Sequence, residues 1–147
     1  MFIRLFAVMV ACAITMVGAD LDGTWKLVSS KSKRRDESAS SILKVQKTGP
    51  DTYHFIVDVV TKAGKKQHGE YDRTFDGKQH PIGTDGTTEI GAHPDPSTWT
   101  FTDYRDGKVI GEGKAVLSSN GKTHTVTRKG TATDGTTYDE FSYYQRE

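Results

Sequence analysis

The residues after position 19 predict an all-β protein, an antiparallel up-and-down meander of eight to ten strands closed into a barrel. Three observations predict it. The turn pairs Asp106-Gly107, Asn120-Gly121 and Asp134-Gly135 put glycines at 107, 121 and 135, a recurrence of 14 residues that leaves room for long strands between tight hairpin turns. The segment Tyr53 to Thr61 alternates cleanly, with Tyr53, Phe55, Val57 and Val59 on one face. From Ser41 onward no stretch carries the 3.6-residue apolar period of a helix. Strands joined by short turns pair with their sequence neighbours, and closing the meander removes edges that would otherwise aggregate.

Residues 1–19 have the pattern of a secretory signal peptide: a cation at Arg4, an apolar run from Leu5 to about Val17, and the small-residue end Val17-Gly18-Ala19. The run falls short of the roughly 20 apolar residues of a membrane span. The domain expectation is therefore a leader at 1–19 and one barrel domain at 20–147, secreted or periplasmic. Lipid anchoring through Cys12 is disfavoured, because Met9 suits a lipoprotein site poorly and an apolar stretch would remain after the cysteine. Removing the leader takes away the single cysteine and all three methionines, so the remaining chain has no thiol chemistry. It also removes Arg4, which leaves Lys and Arg equal in number to the 19 Asp and Glu. Such a balance offers no bulk field for nucleic acid or anionic membranes, and a monomer is expected.

Taken in order, the first strand opens at Gly23-Thr24-Trp25-Lys26-Leu27, with Trp25 and Leu27 on one face. A polar run from Ser29 to Ser38, carrying Lys31, Lys33, Arg34 and Arg35, reads as a solvated loop. Strands are expected at Ile42 to Thr48, Tyr53 to Thr61 and Gln67 to Phe75. In the last of these Tyr71, Arg73 and Phe75 face inward, opposite His68, Glu70 and Asp72. Short strands follow near Lys78–Ile82 and Thr87–Ile90, the second set in an irregular region, 83–97, broken by glycines and by Pro94 and Pro96. Thr98 to Tyr104, Val109 to Leu117, Thr123 to Lys129 and Thr137 to Gln145 complete the wall.

Gly23-Thr24-Trp25-Lys26-Leu27 resembles the Gly-x-Trp signature of the lipocalin-like barrels. Three further stretches extend the likeness over nearly all of the chain after the leader. They are Phe75-Asp76-Gly77-Lys78-Gln79-His80-Pro81-Ile82, Asp106-Gly107-Lys108-Val109-Ile110-Gly111-Glu112-Gly113 and the run from Asn120-Gly121 to Gly130-Thr131. Together they resemble a group of small secreted bacterial proteins with lipocalin-like (calycin-type) barrels and no established activity. These motifs are mostly turns and core, so they speak to fold more than to function. The resemblance implies a lid-like loop after the first strand, here the basic run at 29–38. It also implies an arginine near the C-terminus closing over the first-strand tryptophan, with Arg146 the first counterpart and Arg128 the second. Gly23, Trp25 and Arg146 are thus the expected structural residues. Thr102-Asp103-Tyr104 matches a lipocalin motif in letters only, since it ends a strand instead of marking a loop.

The interior is where a site is expected. Tyr53, Phe55, Tyr71, Phe75, Trp99 and Phe101 supply aromatic wall, and Arg73, His124 and Arg128 fall on inward faces beside them. Two readings of these cations stay open: an anchor for a ligand carboxylate, as fatty-acid-binding barrels use, or residues near strand ends that reach out to water.

Catalysis finds little support. No Gly-x-Ser-x-Gly elbow occurs, no phosphate-binding glycine pattern occurs, and Asp139 and Glu140 point to opposite faces of one strand. His68, Glu70 and Asp72 alternate like a metal face but read as solvated wall, as do His54 and Asp58. His80 and His93 sit beside prolines in loops. No enzyme activity, cofactor or metal is expected. The leading expectation is a non-enzymatic carrier of a small hydrophobic or amphipathic ligand, with a carboxylate if the anchor reading holds. The alternatives are a protein-binding or inhibitor-type barrel acting through loops 29–40 and 83–97, and a purely structural envelope role.

Overall fold

The computed structural model describes residues 20–147; the expected leader, with Arg4 and Cys12, lies outside the described residues. The strands are β1 (Gly23–Leu27), β2 (Ser38–Lys47), β3 (Thr52–Thr61), β4 (Lys66–Thr74), β5 (Gln79–Pro81), β6 (Thr88–Asp95), β7 (Thr98–Arg105), β8 (Lys108–Leu117), β9 (Thr123–Thr131) and β10 (Thr137–Arg146). A single 3-10 turn at Ser29–Lys31 follows β1. Every pairing is antiparallel, and the order in the sheet is β4-β3-β2-β1-β10-β9-β8-β7-β6-β5. The meander expected from the turns is present.

The chain's two ends close on each other, since β1 pairs β10 with Trp25 opposite Arg146 and Leu27 opposite Tyr144. The barrel's seam lies instead in mid-sequence, where β4 and β5 end the sheet without a ladder between them. Closure is therefore nearly, but not fully, hydrogen-bonded. Gly91 lets the seam come together: a Cβ there would stand 2.7 Å from the Thr74 carbonyl oxygen and 2.9 Å from the Phe75 ring. Its carbonyl accepts from the Gly77 N–H at 2.8 Å.

Trp25 anchors the closed end. Its side chain is fully buried, its indole N–H donates to the Leu21 carbonyl at 2.8 Å, and the Arg146 guanidinium lies 4.1 Å from its ring centre. The same guanidinium donates to the carbonyls of Asp20, Asp22 and Gly121, tying the first strand, the last strand and the β8–β9 turn. Gly23 makes room for it. Its φ is +137°, and a Cβ would fall 2.3 Å from Arg146 Nη1, so both backbone and space require glycine. Leu27, Val45, Tyr53 and Leu117 belong to the same buried core.

Three local expectations are corrected. β2 begins at Ser38 instead of Ile42, because Ser38 and Ser41 turn inward and their short side chains let the ladder to β3 continue through a register shift. β6 runs to Asp95, well past Ile90, because a register shift between Ala92 and Asp95 absorbs Pro94, which has no N–H to give the ladder. Most of the segment expected as loop 83–97 is thus strand. The run 29–38 is also not a free loop. Lys33 and Phe141 exchange two backbone hydrogen bonds, at 2.7 and 2.9 Å, and Ser32 Oγ accepts from the Tyr143 N–H at 2.9 Å. The run is a strap laid along β10.

Candidate functional site

Alternation sends one side chain in two into the barrel, and beside Leu21, Leu43 and His124, which surround Trp25, these side chains leave a cavity of about 140 Å³. Phe55, Tyr71, Arg73, Phe75, Trp99, Phe101, His124 and Arg128 all line it, with Leu43, Val57, Ala115 and Val126 filling the wall between them. Tyr53, expected among these, does not. It is buried at the packed end, where its hydroxyl donates to Asp20 Oδ1 at 2.8 Å and its ring meets Phe75 and Trp99 edge-on. The parity of β3 was sound, but Tyr53 is its first inward residue and lies below the cavity floor.

The polar end of the cavity is built from four strands. Arg73 on β4 faces Glu89 on β6 at 3.2 Å across the seam, and Arg128 on β9 pairs with Asp103 on β7 at 3.0 Å. Glu89 and Asp103 stand directly opposite each other in the β6–β7 ladder. Both guanidinium groups approach the Phe101 ring, at 4.2 Å for Arg73 and 5.6 Å for Arg128, so the aromatic face is bounded by cations. The two arginines form the cavity wall, and the two acids stand behind them. Few of these groups are satisfied: Arg73 Nε, Arg128 Nε, both Glu89 oxygens and Asp103 Oδ1 are buried without a hydrogen-bond partner. Burial pushes the Glu89 carboxyl up to about 7; the Arg73 charge opposes this and the neighbouring Asp103 adds to it.

His124 belongs to the floor. It lies edge-on to Trp25 at 4.3 Å and stacks on Tyr144 at 4.7 Å. Burial, reinforced by the Arg146 charge, pushes its imidazole down to about 3, so it is a neutral ring there and not a cationic anchor. The expected cationic trio of Arg73, His124 and Arg128 is therefore two arginines over a neutral histidine.

The strap closes the mouth. Arg34 turns in to the cavity, donates to the Tyr144 hydroxyl at 2.9 Å and pairs with Asp36. Arg35 stacks over the Tyr138 ring at 4.0 Å and pairs with Glu140, an inward residue of β10 that also borders the cavity.

Sequence reasoning missed Glu89, Asp103, Arg34 and Glu140. Asp103 was within reach of it, because Trp99 and Phe101 set the inward parity of β7 and Asp103 is the next residue on that face. Glu89 was not, since Ile90 and Ala92 made the other face of β6 look like the apolar one. On the outer wall of β3 and β4, His54 Nδ1 meets Asp72 at 2.7 Å, and His68 meets Asp58 at 2.6 Å and Glu70 at 3.1 Å. Among the described residues no three His, Cys, Asp or Glu side chains are grouped to hold a metal ion.

No protein-family model matches the chain, and no curated protein matches it in sequence. Solved structures do match. The wild-type fluorescent protein UnaG aligns with a TM-score of 0.60 at 13% identity, over 86% of this chain and 97% of that one. As-p18, an extracellular fatty acid binding protein, aligns with a TM-score of 0.50 at 16% identity, over 86% and 95% of the two chains. The fold is a calycin-type barrel. At such identity the likeness carries the architecture, and function has to be argued from the cavity.

Proposed function

We propose that this protein is a non-catalytic carrier that takes a compact amphipathic ligand into its barrel outside the cytoplasm. The carrying observation is the cavity itself, an aromatic chamber that ends in two arginines, Arg73 buried and Arg128 half-buried, whose Nε atoms make no hydrogen bond. A built apolar pocket with a few convergent polar groups is the usual form of a small-molecule site. The ligand's apolar body lies against Phe55, Phe75, Trp99 and Phe101, and its carboxylate lies between Arg73 and Arg128. The likeness to an extracellular fatty acid binding protein supports this reading, and the leader-like residues 1–19 support export.

Size narrows the ligand. An apolar cavity of roughly 150 Å³ takes a benzene-sized molecule, and typical ligand pockets start near 300 Å³. A space of about 140 Å³ beneath the strap therefore suits a short or compact ligand, and a longer one must displace Arg34. Strand, not loop, occupies 38–40 and 88–95, so little free loop remains for recognition of a protein through 29–40 and 83–97.

Native mass spectrometry of the protein purified from its own host without detergent tests the proposal. A bound small mass that leaves on denaturation is the expected result. A bare polypeptide that also fails to bind any added short-chain carboxylate or its neutral alcohol overturns it.

A further inference from the structure

The arrangement of charges behind the cavity wall bears on how an anion could be held there. Arg73 and Arg128 line the cavity, yet each is already matched to an acid behind it, Glu89 at 3.2 Å and Asp103 at 3.0 Å. With both acids ionised, the four side chains carry no net charge to attract a ligand carboxylate. The acids themselves are badly placed as a pair of anions. They are opposite each other in the ladder, 3% and 8% exposed at the side chain, and three of their four oxygens make no hydrogen bond, Glu89 Oε2 having only its ion pair with Arg73. Like charges at directly opposed positions repel, and burial strengthens the repulsion.

We infer, building on the carrier reading, that ligand anion and proton bind together: a carboxylate seated between Arg73 and Arg128 draws both guanidinium groups off Glu89 and Asp103, and that acid pair takes up one proton. The proton comes from solvent and is held between the two carboxyl groups while the anion is bound; no covalent bond to the ligand forms. Charge then balances, with two guanidinium groups against the ligand carboxylate and one remaining acid charge. The raised affinity of Glu89 for its proton agrees with this placement.

The other groups around the pair leave it free to act. Arg105, two residues beyond Asp103 on the same face, is engaged by Asp85 at 2.7 Å and Thr87 at 2.8 Å. From β8 only Gly111 and Gly113 face this region, and neither carries charge. Tyr71 on β4 and Tyr138 on β10 bring phenol rings. Arg34 and Glu140 sit at the mouth, where Asp36 and Arg35 pair with them. Among the described residues the further cation on this face is Arg105, whose Nε is buried without a hydrogen bond and whose Nη2 is committed to Asp85 and Thr87.

The test is calorimetric titration of the purified protein with octanoate and, separately, with octanol, from about pH 6 to about pH 9 in buffers of different ionisation enthalpy. Octanoate is expected to bind with proton uptake approaching one per ligand at the alkaline end, its Kd rising about tenfold per pH unit there. Octanol is expected to show neither effect. Glu89→Gln, which is neutral at every pH, is expected to bind octanoate with a flat pH profile and no proton uptake; Asp103→Asn serves the same end if that variant does not fold. Octanoate binding that is flat with pH in the unaltered protein overturns the inference, and so does a slope that survives either substitution. Binding of octanol alone also overturns it while leaving the carrier reading standing. If neither compound binds at any pH, the inference fails, and the carrier reading fails with it when native mass spectrometry also shows a bare polypeptide.

Discussion

Acidification singles out His124. Its imidazole is 2% exposed and held near 3, against 6.5 for a free histidine, because burial and the Arg146 charge both disfavour the cation. Between those two values the unfolded chain binds a proton that the folded chain refuses. Stability contributed by the neutral ring is thus fully present above pH 6.5 and is lost as pH falls through that window. One pH unit is worth about 1.4 kcal/mol, so acidification to about pH 4 costs about 3 kcal/mol through this residue alone. The measurement is urea unfolding, followed by circular dichroism at about pH 7 and pH 4, of the unaltered protein and of His124→Phe. Phenylalanine keeps a flat ring between Trp25 and Tyr144, removes the unpartnered Nδ1 and does not titrate. The variant is expected to lose about 3 kcal/mol less on acidification. Groups that shift in the opposite sense, such as His54 and His68 beside their surface carboxylates, are common to both proteins and cancel in the difference. Equal losses in the two proteins would refute the idea that the ring is kept neutral.

Two further outcomes follow from the packing. Trp25→Ala removes a fully buried indole, its hydrogen bond to Leu21 and the seat of Arg146, and is expected to cost about 3–5 kcal/mol in the same unfolding assay; a change below about 1 kcal/mol would mean the closed end is organised by something else. Arg73→Met keeps the bulk of the side chain over Phe101 while removing the charge that faces Glu89. It is expected to weaken octanoate at least tenfold and octanol little, about 1.4 kcal/mol of selectivity read from the two Kd values.

The wall of this barrel was legible in the chain because strand identity is local. Tyr53, Phe55, Val57 and Val59 share one face of β3, and Asp106-Gly107 and Asn120-Gly121 turn the chain by their own backbone preferences. Where local signals were mixed, tertiary contact decided. Ser38 and Ser41 look like loop residues until β3 lies beside them, and Pro94 looks like a terminator until the register shifts around it. The basic run after β1 reads as solvent-facing by composition. It becomes a strap because Phe141 and Tyr143 offer backbone partners and Tyr144 receives Arg34.

By itself, then, the sequence determined an antiparallel meander and the inward parity of most strands; a family resemblance pointed to Gly23, Trp25 and Arg146 at the closed end, with Arg128 as the second counterpart, and Arg73, His124 and Arg128 stayed open between a ligand anchor and residues that reach out to water. Only the tertiary structure decided that the seam runs between β4 and β5, that Tyr53 lies below the cavity, and that Arg73 and Arg128 meet Glu89 and Asp103. The physical reason is range. Side-chain alternation and turn geometry are properties of a few consecutive residues, whereas the charge state and depth of a buried group depend on what three or four distant strands bring against it.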